Sequence, residues 1–231
     1  MNLSFTDEQN LLRDSVSKFC GSDYDFETRM KSVNSENGHN SEHWKLFAEL
    51  GWLAIPFSEE LGGLDGGDVD LSLMFEEFGK SIVVEPYLAN VVLSGGVLKR
   101  SDLENKTDLI EHLITGEKQI SLANYEPQKG FNLDNIDCEI SEDGSVNGLK
   151  TTVLNAPNAD FFLVFGKHQT GHAFALIPKD AEGSKVTSYK TYDGFVSGDL
   201  HLENCKAGAV FSKSDALDIF CLLYTSDAAD D

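Results

Sequence analysis

The chain has 231 residues, a formal net charge of −21 and four cysteines without paired spacing. This length suits one large domain or two small ones, with enough residues for a sizeable core. The acidic balance disfavours nucleic acids and anionic membranes as partners, because both require a cationic surface. No apolar run reaches the roughly eighteen residues that insertion into a bilayer needs, and no basic leader precedes Asp7. We therefore expect a cytoplasmic protein with free thiols.

Apolar residues recur at helical spacing through the first 116 residues. Thr6 and Gln9 fit a capping box at the first helix. The first predicted helix starts after Thr6, and the second covers residues 26–33. Ser41 is predicted to cap the third helix, and Asp68 or Asp70 to cap the fourth. The last two predicted helices cover residues 87–99 and 105–115. The helix over 87–99 is apolar nearly all round and is expected at the centre of a bundle.

The pattern changes at residues 119–131, after which apolar residues alternate or form short runs between Gly, Asn and Asp. The predicted strands are 138–141, 145–147, 151–154, 161–165, 174–177, 186–189 and 199–202. The stretch 142–145 and the dipeptide Asn147-Gly148 are hairpin signals. The predicted fold class is α+β, with an N-terminal all-α helical bundle over 1–116 and a small antiparallel β-barrel or sandwich over 117–212.

Residue chemistry alone predicts no reaction. The glycines of residues 62–67 lack the Lys-Ser or Lys-Thr of a phosphate loop, so they are interpreted as tight turns. His39 and His43 are four residues apart, as are His168 and His172, but neither pair has a third metal ligand at a suitable spacing. We therefore expect these histidines to lie in surface loops. No metal site and no activated nucleophile is predicted.

Two sets of motifs resemble the acyl-CoA dehydrogenases. The stretch Phe47-Ala-Glu-Leu-Gly-Trp-Leu-Ala-Ile-Pro56, followed by Glu-Glu-Leu-Gly-Gly63, is similar to that family's first-domain signature. The stretch Asn147-Gly-Leu-Lys150 with Asn155-Ala156 and Ala159-Asp160 is similar to its middle-domain signature. Within the family, the stretches around Tyr24, Pro86 and Glu126 resemble the small subunits of the pimeloyl-CoA dehydrogenase group.

The resemblance implies FAD-dependent α,β-dehydrogenation of an acyl-CoA, with a dicarboxylyl-CoA such as pimeloyl-CoA as one substrate. It implies a large acyl-CoA dehydrogenase subunit as partner, or a homo-oligomer, and a flavoprotein as electron acceptor. The implied flavin-contacting residues are Leu122, Tyr125, Phe131, Thr152 and Leu154. The family's catalytic carboxylate usually comes from a third, C-terminal helical domain, so no catalytic base is assigned.

Four of these five residues depart from the family pattern. Tyr125 stands where Thr is common, Phe131 where Ser is common, and Thr152 to Leu154 where Trp-Ile-Thr is common. Each lost hydrogen bond would weaken flavin binding by about 1 kcal/mol. Two other functions therefore stay open, a non-catalytic partner subunit with a degenerate flavin site and an acyl-CoA oxidase-like flavoenzyme.

The last nineteen residues are interpreted in two parts, 213–220 and 221–231. Residues 213–220 are interpreted as the start of a C-terminal helical domain that is otherwise missing. The stretch from Cys221 to Asp231 resembles a translated sequencing adapter, so no fold is predicted for these residues, and a short acidic tail is the alternative interpretation. The fragment alone is expected to be inactive.

Overall fold

The computed structural model of the protein describes residues 4–130 and 135–224. Contacts divide the chain into two compact units, 1–85 and 86–231. The helices between residues 88 and 114 therefore belong to the same unit as the strands. The predicted boundary at residue 116 marks the change from helices to strands, and as a domain boundary it stays a prediction.

The first unit is helical. Its helices are α1 (Asp7–Ser22), α2 (Phe26–Asn34), α3 (Ser41–Glu49) and α4 (Asp68–Ser81). The predicted capping box is confirmed, because the Gln9 amide donates to the Thr6 hydroxyl and the Thr6 amide donates to the Gln9 side chain, both at 3.1 Å. The N-cap of α3 is Asn40 rather than Ser41, and the N-cap of α4 is Gly67. At α4 the Asp70 carboxylate still caps, by accepting from the Gly67 amide.

The loop between α3 and α4 has the predicted tight turns. Gly62 has a φ of 81°, in the left-handed region that favours glycine. A Cβ at Gly63 would lie 2.0 Å from the Phe57 carbonyl oxygen, and one at Gly66 would lie 2.4 Å from the Ile55 side chain. The glycines thus allow the loop to fold back onto residues 55–57, which supports the turn interpretation.

The second unit begins with helical segments. These are a π-helix (Leu88–Ser94), α5 (Gly95–Arg100) and α6 (Lys106–Ile114), and the unit ends with α7 (Ala216–Tyr224). The predicted helix over 87–99 is thus wound as a π-helix in its first half. The Asn90 side chain accepts from the Ile120 amide at 2.7 Å, and the Ser94 hydroxyl donates to the Ile120 carbonyl at 2.8 Å. Both side chains are fully buried, so the wide π-turn fixes the start of the first strand.

One eight-stranded sheet follows. Its strands are β1 (Ile120–Ala123), β2 (Glu139–Ile140), β3 (Ser145–Leu154), β4 (Phe161–His168), β5 (Gly171–Pro178), β6 (Ser184–Lys190), β7 (Val196–Lys206) and β8 (Ala209–Phe211). The order is β6-β7-β3-β2-β4-β5-β8, and β1 pairs with β4 in parallel. The α+β class with a mostly antiparallel strand domain is confirmed. Within the described residues the sheet does not close, so the closed-barrel form of the prediction is wrong. β6 and β8 end the sheet without meeting.

The predicted turn at Asn147-Gly148 is also wrong. Those residues lie inside β3, which joins two of the predicted strands, at a register shift against β7 between Val146 and Gly148. Gly148 has a φ of 156°, and a Cβ there would lie 2.8 Å from Cys138. The glycine therefore permits a bulge and a close neighbour rather than a chain reversal.

The turn between β2 and β3 carries an ion pair that should affect stability at low pH. Lys206 donates to the Asp143 carboxylate and lowers the pKa of Asp143 to about 2, with help from the Ser145 amide. A depressed pKa adds stability above the unfolded value of about 3.9, and that stability is lost as pH falls towards 2. Asp143→Asn should therefore flatten the fall in melting temperature between pH 4 and pH 2, measured by circular dichroism. Asp180→Asn, at another exposed aspartate, is the control and should leave the slope unchanged. A slope for Asp143→Asn equal to that of the wild type would contradict the prediction.

Among the described residues, no helix combines the length and the apolar character that a membrane span requires.

Candidate functional site

Two segments predicted to hold a cofactor lie side by side in the second unit. The Thr151 amide donates to the Tyr125 carbonyl at 2.9 Å, which joins the chain after β1 to the middle of β3. Tyr125 and Leu154 are half-buried and Thr152 is exposed. Leu122 is 5% exposed and its side chain belongs to the core. Phe131, the fifth predicted residue, lies outside the described residues.

A buried ion pair locks these segments together. Lys150 donates to the Glu126 carboxylate at 2.7 Å and lies 3.3 Å from the Asn124 carbonyl. The two side chains are 0% and 3% exposed. Glu126 and Lys150 lie in separate sequence motifs, and the sequence analysis gave neither of them a role. Their opposite charges are the signal that could have suggested this pairing.

Glu126 also organises the approach to β2. Its two carboxylate oxygens accept from the Asp137 amide at 2.6 Å and the Cys138 amide at 3.0 Å. One buried carboxylate thus satisfies a lysine and two backbone donors, which is what a buried charge requires. Burial raises the pKa of the Cys138 thiol to about 11, so this cysteine is a neutral core group.

The Thr152 turn is strained and externally braced. Thr152 has a φ of 53°, which is rare for a β-branched residue, and it lies at a register shift between β3 and β7. Its amide donates to the Tyr189 hydroxyl at 3.1 Å and to the Asp199 carboxylate at 3.3 Å. The Tyr189 hydroxyl in turn donates to Asp199 at 2.9 Å. Strained backbone of this kind persists only where neighbours hold it, and it clusters at functional sites.

Asn155 and Asp160 of the middle-domain motif fix the start of β1 next to β4. The Asp160 carboxylate lies 3.0 Å from Lys118 and accepts from the Gln119 amide at 2.9 Å. The Asn155 side chain donates to the Gln119 side chain at 2.7 Å. The Asn155-Ala156 and Ala159-Asp160 motifs therefore position the strand that leads into Tyr125.

The four paired histidines are buried or half-buried, so the surface position predicted for them is wrong. His39 is 5% exposed, and burial lowers its pKa. His43 is half-buried, with its Nδ1 atom 3.2 Å from the fully buried Glu85 carboxylate. His168 is also buried, and its Nδ1 atom lies 3.0 Å from the Thr170 hydroxyl. Within the described residues, no group of three His, Cys, Asp or Glu side chains could hold a metal ion. All four cysteines are free.

Tyr125 and Leu154 are half-buried on the two segments that the Thr151 amide and the Lys150–Glu126 pair hold together. The exposed Thr152 turn is fixed by Tyr189 and Asp199. Aromatic and apolar side chains with a few fixed polar groups are the chemistry that planar ring ligands generally contact.

Comparison with known proteins gives a family match. Residues 6–117 match the family model "Acyl-CoA dehydrogenase, N-terminal domain". A relative from Serratia sp., L-prolyl-[peptidyl-carrier protein] dehydrogenase, is 29% identical over 203 residues, which cover 80% of this chain and 51% of that protein. The chain thus spans about half the length of this curated relative.

Solved structures share the fold over nearly the whole chain. The ChsE4–ChsE5 complex from Mycobacterium tuberculosis has a TM-score of 0.85 at 24% identity, covering 96% of this chain and 62% of the other. A glutaryl-CoA dehydrogenase from Mycobacterium smegmatis in complex with FADH2 has a TM-score of 0.83 at 20% identity, covering 95% and 59%. Residues 6–117 thus match the N-terminal domain of the acyl-CoA dehydrogenases, and the chain shares the fold of these solved structures over nearly its whole length.

Proposed function

We propose that the protein containing this chain is an FAD-dependent acyl-CoA dehydrogenase that introduces an α,β double bond into an acyl thioester. The observation that carries the proposal is the Lys150–Glu126 pair, which holds the Tyr125 and Thr152 segments as one rigid surface where the family resemblance expects the flavin. The family model over residues 6–117 supports the same reaction class.

The roles of this chain's residues follow from their environment. Tyr125 and Leu154 would pack against the flavin ring, and the Thr152 hydroxyl is a candidate hydrogen-bond donor or acceptor at its edge. Bound FAD would supply a hydride acceptor. The rigid β1 and β3 backbones would exclude water and keep the ring in one orientation. We assign no catalytic base to the described residues.

For the substrate we propose a dicarboxylyl-CoA such as pimeloyl-CoA. The motif resemblance described above supports this choice. A thioester carried by a protein is the competing class, because the Serratia relative acts on a carrier-bound prolyl group. A net charge of −21 would repel an acidic carrier protein, whereas a small anionic thioester needs only a few local donors.

A second candidate function is a non-catalytic subunit that supports a flavin-binding partner. Phe131 and Leu154 favour it, since each places an apolar side chain where the family pattern has a hydroxyl. The fold is shared with ChsE4–ChsE5, which is a complex of two different chains. In such an assembly this chain would contribute the rigid Tyr125 and Thr152 surface to a shared pocket.

The full coding sequence, co-produced with any adjacent dehydrogenase subunit, should yield a yellow protein with one FAD per chain. We expect dye reduction with pimeloyl-CoA to exceed that with a monocarboxylyl-CoA of equal length and with a carrier-bound acyl group. One FAD per two chains would favour the supporting-subunit function. A colourless assembly without acyl-CoA-dependent dye reduction would overturn both.

Restoring a hydroxyl gives a sharper test of the site. Leu154→Thr should tighten FAD binding about fivefold, since one added hydrogen bond contributes about 1 kcal/mol. Leu222→Thr, on an exposed position of α7, is the matched control and should leave the FAD dissociation constant unchanged. An equal effect of the two substitutions would remove Leu154 from the flavin site.

A further inference from the structure

Tyr189 is the aromatic side chain that braces the Thr152 turn. It lies on β6, at the edge of the sheet, and its hydroxyl reaches across β7 to the Thr152 amide on β3 at 3.1 Å. The same hydroxyl donates to the Asp199 carboxylate at 2.9 Å. Three strands therefore meet at one phenol oxygen.

The sheet register explains how these groups meet. Thr187 pairs with Asp199, and Tyr189 pairs with Ser197, so Tyr189 and Asp199 are diagonal neighbours in the antiparallel ladder. Side chains two residues apart on a strand share a face, and diagonal neighbours are within reach of a long aromatic side chain. The shift in register between Lys150 and Val153 brings the Thr152 amide to the same oxygen.

The hydroxyl of Tyr189 is held by two hydrogen bonds, while part of the side chain stays open to solvent. The residue remains 37% exposed, although its hydroxyl has one acceptor and one donor. Because its hydroxyl is hydrogen-bonded, the Tyr189 ring has already lost much of its rotational freedom, although part of its surface is exposed to solvent. It can therefore stack on a planar ligand at a low further cost in entropy.

We infer that the Tyr189 ring is an aromatic surface on which the flavin ring packs, and that Asp199 is a positioning residue that holds the Tyr189 hydroxyl. The inference rests on the proposed function. Thr152 has too small a side chain to cover a three-ring system, and Tyr189 contacts the backbone of that same residue. The family pattern has a Trp on β3 at the position of Thr152, whereas in this chain Tyr189 on β6 would supply the aromatic contact with the flavin.

The fluorescence of bound FAD tests this inference, because a tyrosine stacked on a flavin quenches its emission by electron transfer. In the full-length protein, Tyr189→Leu should brighten bound FAD several-fold and weaken its binding about two- to tenfold, the range for one aromatic contact. Tyr189→Phe keeps the ring for packing but lacks the oxidisable phenol, so it should brighten bound FAD as Tyr189→Leu does while retaining most of the affinity. Asp199→Asn should broaden the fluorescence lifetimes, since it loosens the ring without removing it.

Tyr192→Leu is the matched control, because Tyr192 is fully exposed in the turn before β7. It should leave fluorescence and affinity unchanged. If Tyr189→Leu behaves like Tyr192→Leu in a protein that binds FAD, the inference is overturned and the proposed function stands. If the wild-type protein binds no FAD, both are overturned. Equal melting temperatures of the variants without FAD would show that folding is intact, and Tyr189→Phe serves where Tyr189→Leu is unstable.

Discussion

Lys150→Met is expected to lower the free energy of unfolding by about 3–5 kcal/mol, because it leaves the Glu126 carboxylate buried without its counter-ion. Lys150 is 0% exposed and Glu126 is 3% exposed, so solvent cannot replace the lost partner. Urea unfolding followed by far-ultraviolet circular dichroism measures the change, since both tryptophans lie in the first unit. FAD binding should fall as well, since the pair holds the Tyr125 and Thr152 segments together.

Two further variants separate the ion pair from the loss of a long side chain. Lys150→Met combined with Glu126→Gln should recover part of the stability, because the neutral amide still accepts a backbone hydrogen bond and leaves no buried charge. Lys185→Met, at an exposed lysine of β6, should change stability by less than about 0.5 kcal/mol. A loss below about 1 kcal/mol for Lys150→Met would show that the pair is accessible to water.

Phe47→Ala is expected to destabilise the first unit by about 3–5 kcal/mol, the cost of removing a fully enclosed phenylalanine. Phe47 is 0% exposed and lies at the centre of an aromatic cluster. Its ring centroid is 5.2 Å from that of Phe19, 4.9 Å from that of Trp52 and 5.4 Å from that of Phe78. The three neighbours are fixed by separate helical segments, so the cavity cannot collapse fully.

Phe26→Ala is the matched control, since the Phe26 side chain is 74% exposed at the start of α2. It should cost less than about 0.5 kcal/mol. Both variants are measured by urea unfolding with the tryptophan signal of Trp44 and Trp52, which lie in the same unit. Similar losses for the two substitutions would contradict the assignment of Phe47 to the centre of the core.

The helices of the first unit were largely predictable, because their signals are local. The Thr6 and Gln9 capping box involves residues three apart, and its two hydrogen bonds formed as predicted. The glycine turns over 62–67 were equally local, since each depends on a backbone angle or a close neighbour within about ten residues. The N-cap of α3 differed by one residue, at Asn40, because both Asn and Ser are good caps.

The sheet was less predictable, since its partners are distant in sequence. Asn147-Gly148 has the composition of a hairpin turn, yet pairing with β7 keeps β3 straight through both residues. The parallel pairing of β1 with β4 and the open edges at β6 and β8 depend on contacts that a single sequence does not display.

In the candidate site, too, the local motifs were predictable from the sequence and the contacts between distant residues were not. The motifs placed Tyr125, Thr152 and Leu154 in two segments, and the structure brings the segments together through the Thr151 amide and the Tyr125 carbonyl. The bracing by Tyr189 and Asp199 joins residues 37 and 47 positions from Thr152, so no local pattern reveals it.

The change from helices to strands, the capping box of α1 and the motifs that resemble one dehydrogenase family could be read from the sequence alone. Long-range contacts were needed to show that the sheet stays open, that Glu126 and Lys150 form one buried pair, and that Tyr189 reaches the Thr152 turn. Periodicity and capping are set by neighbours along the chain. The burial of a charge and the position of a ring are set by which distant segments exclude water from each other.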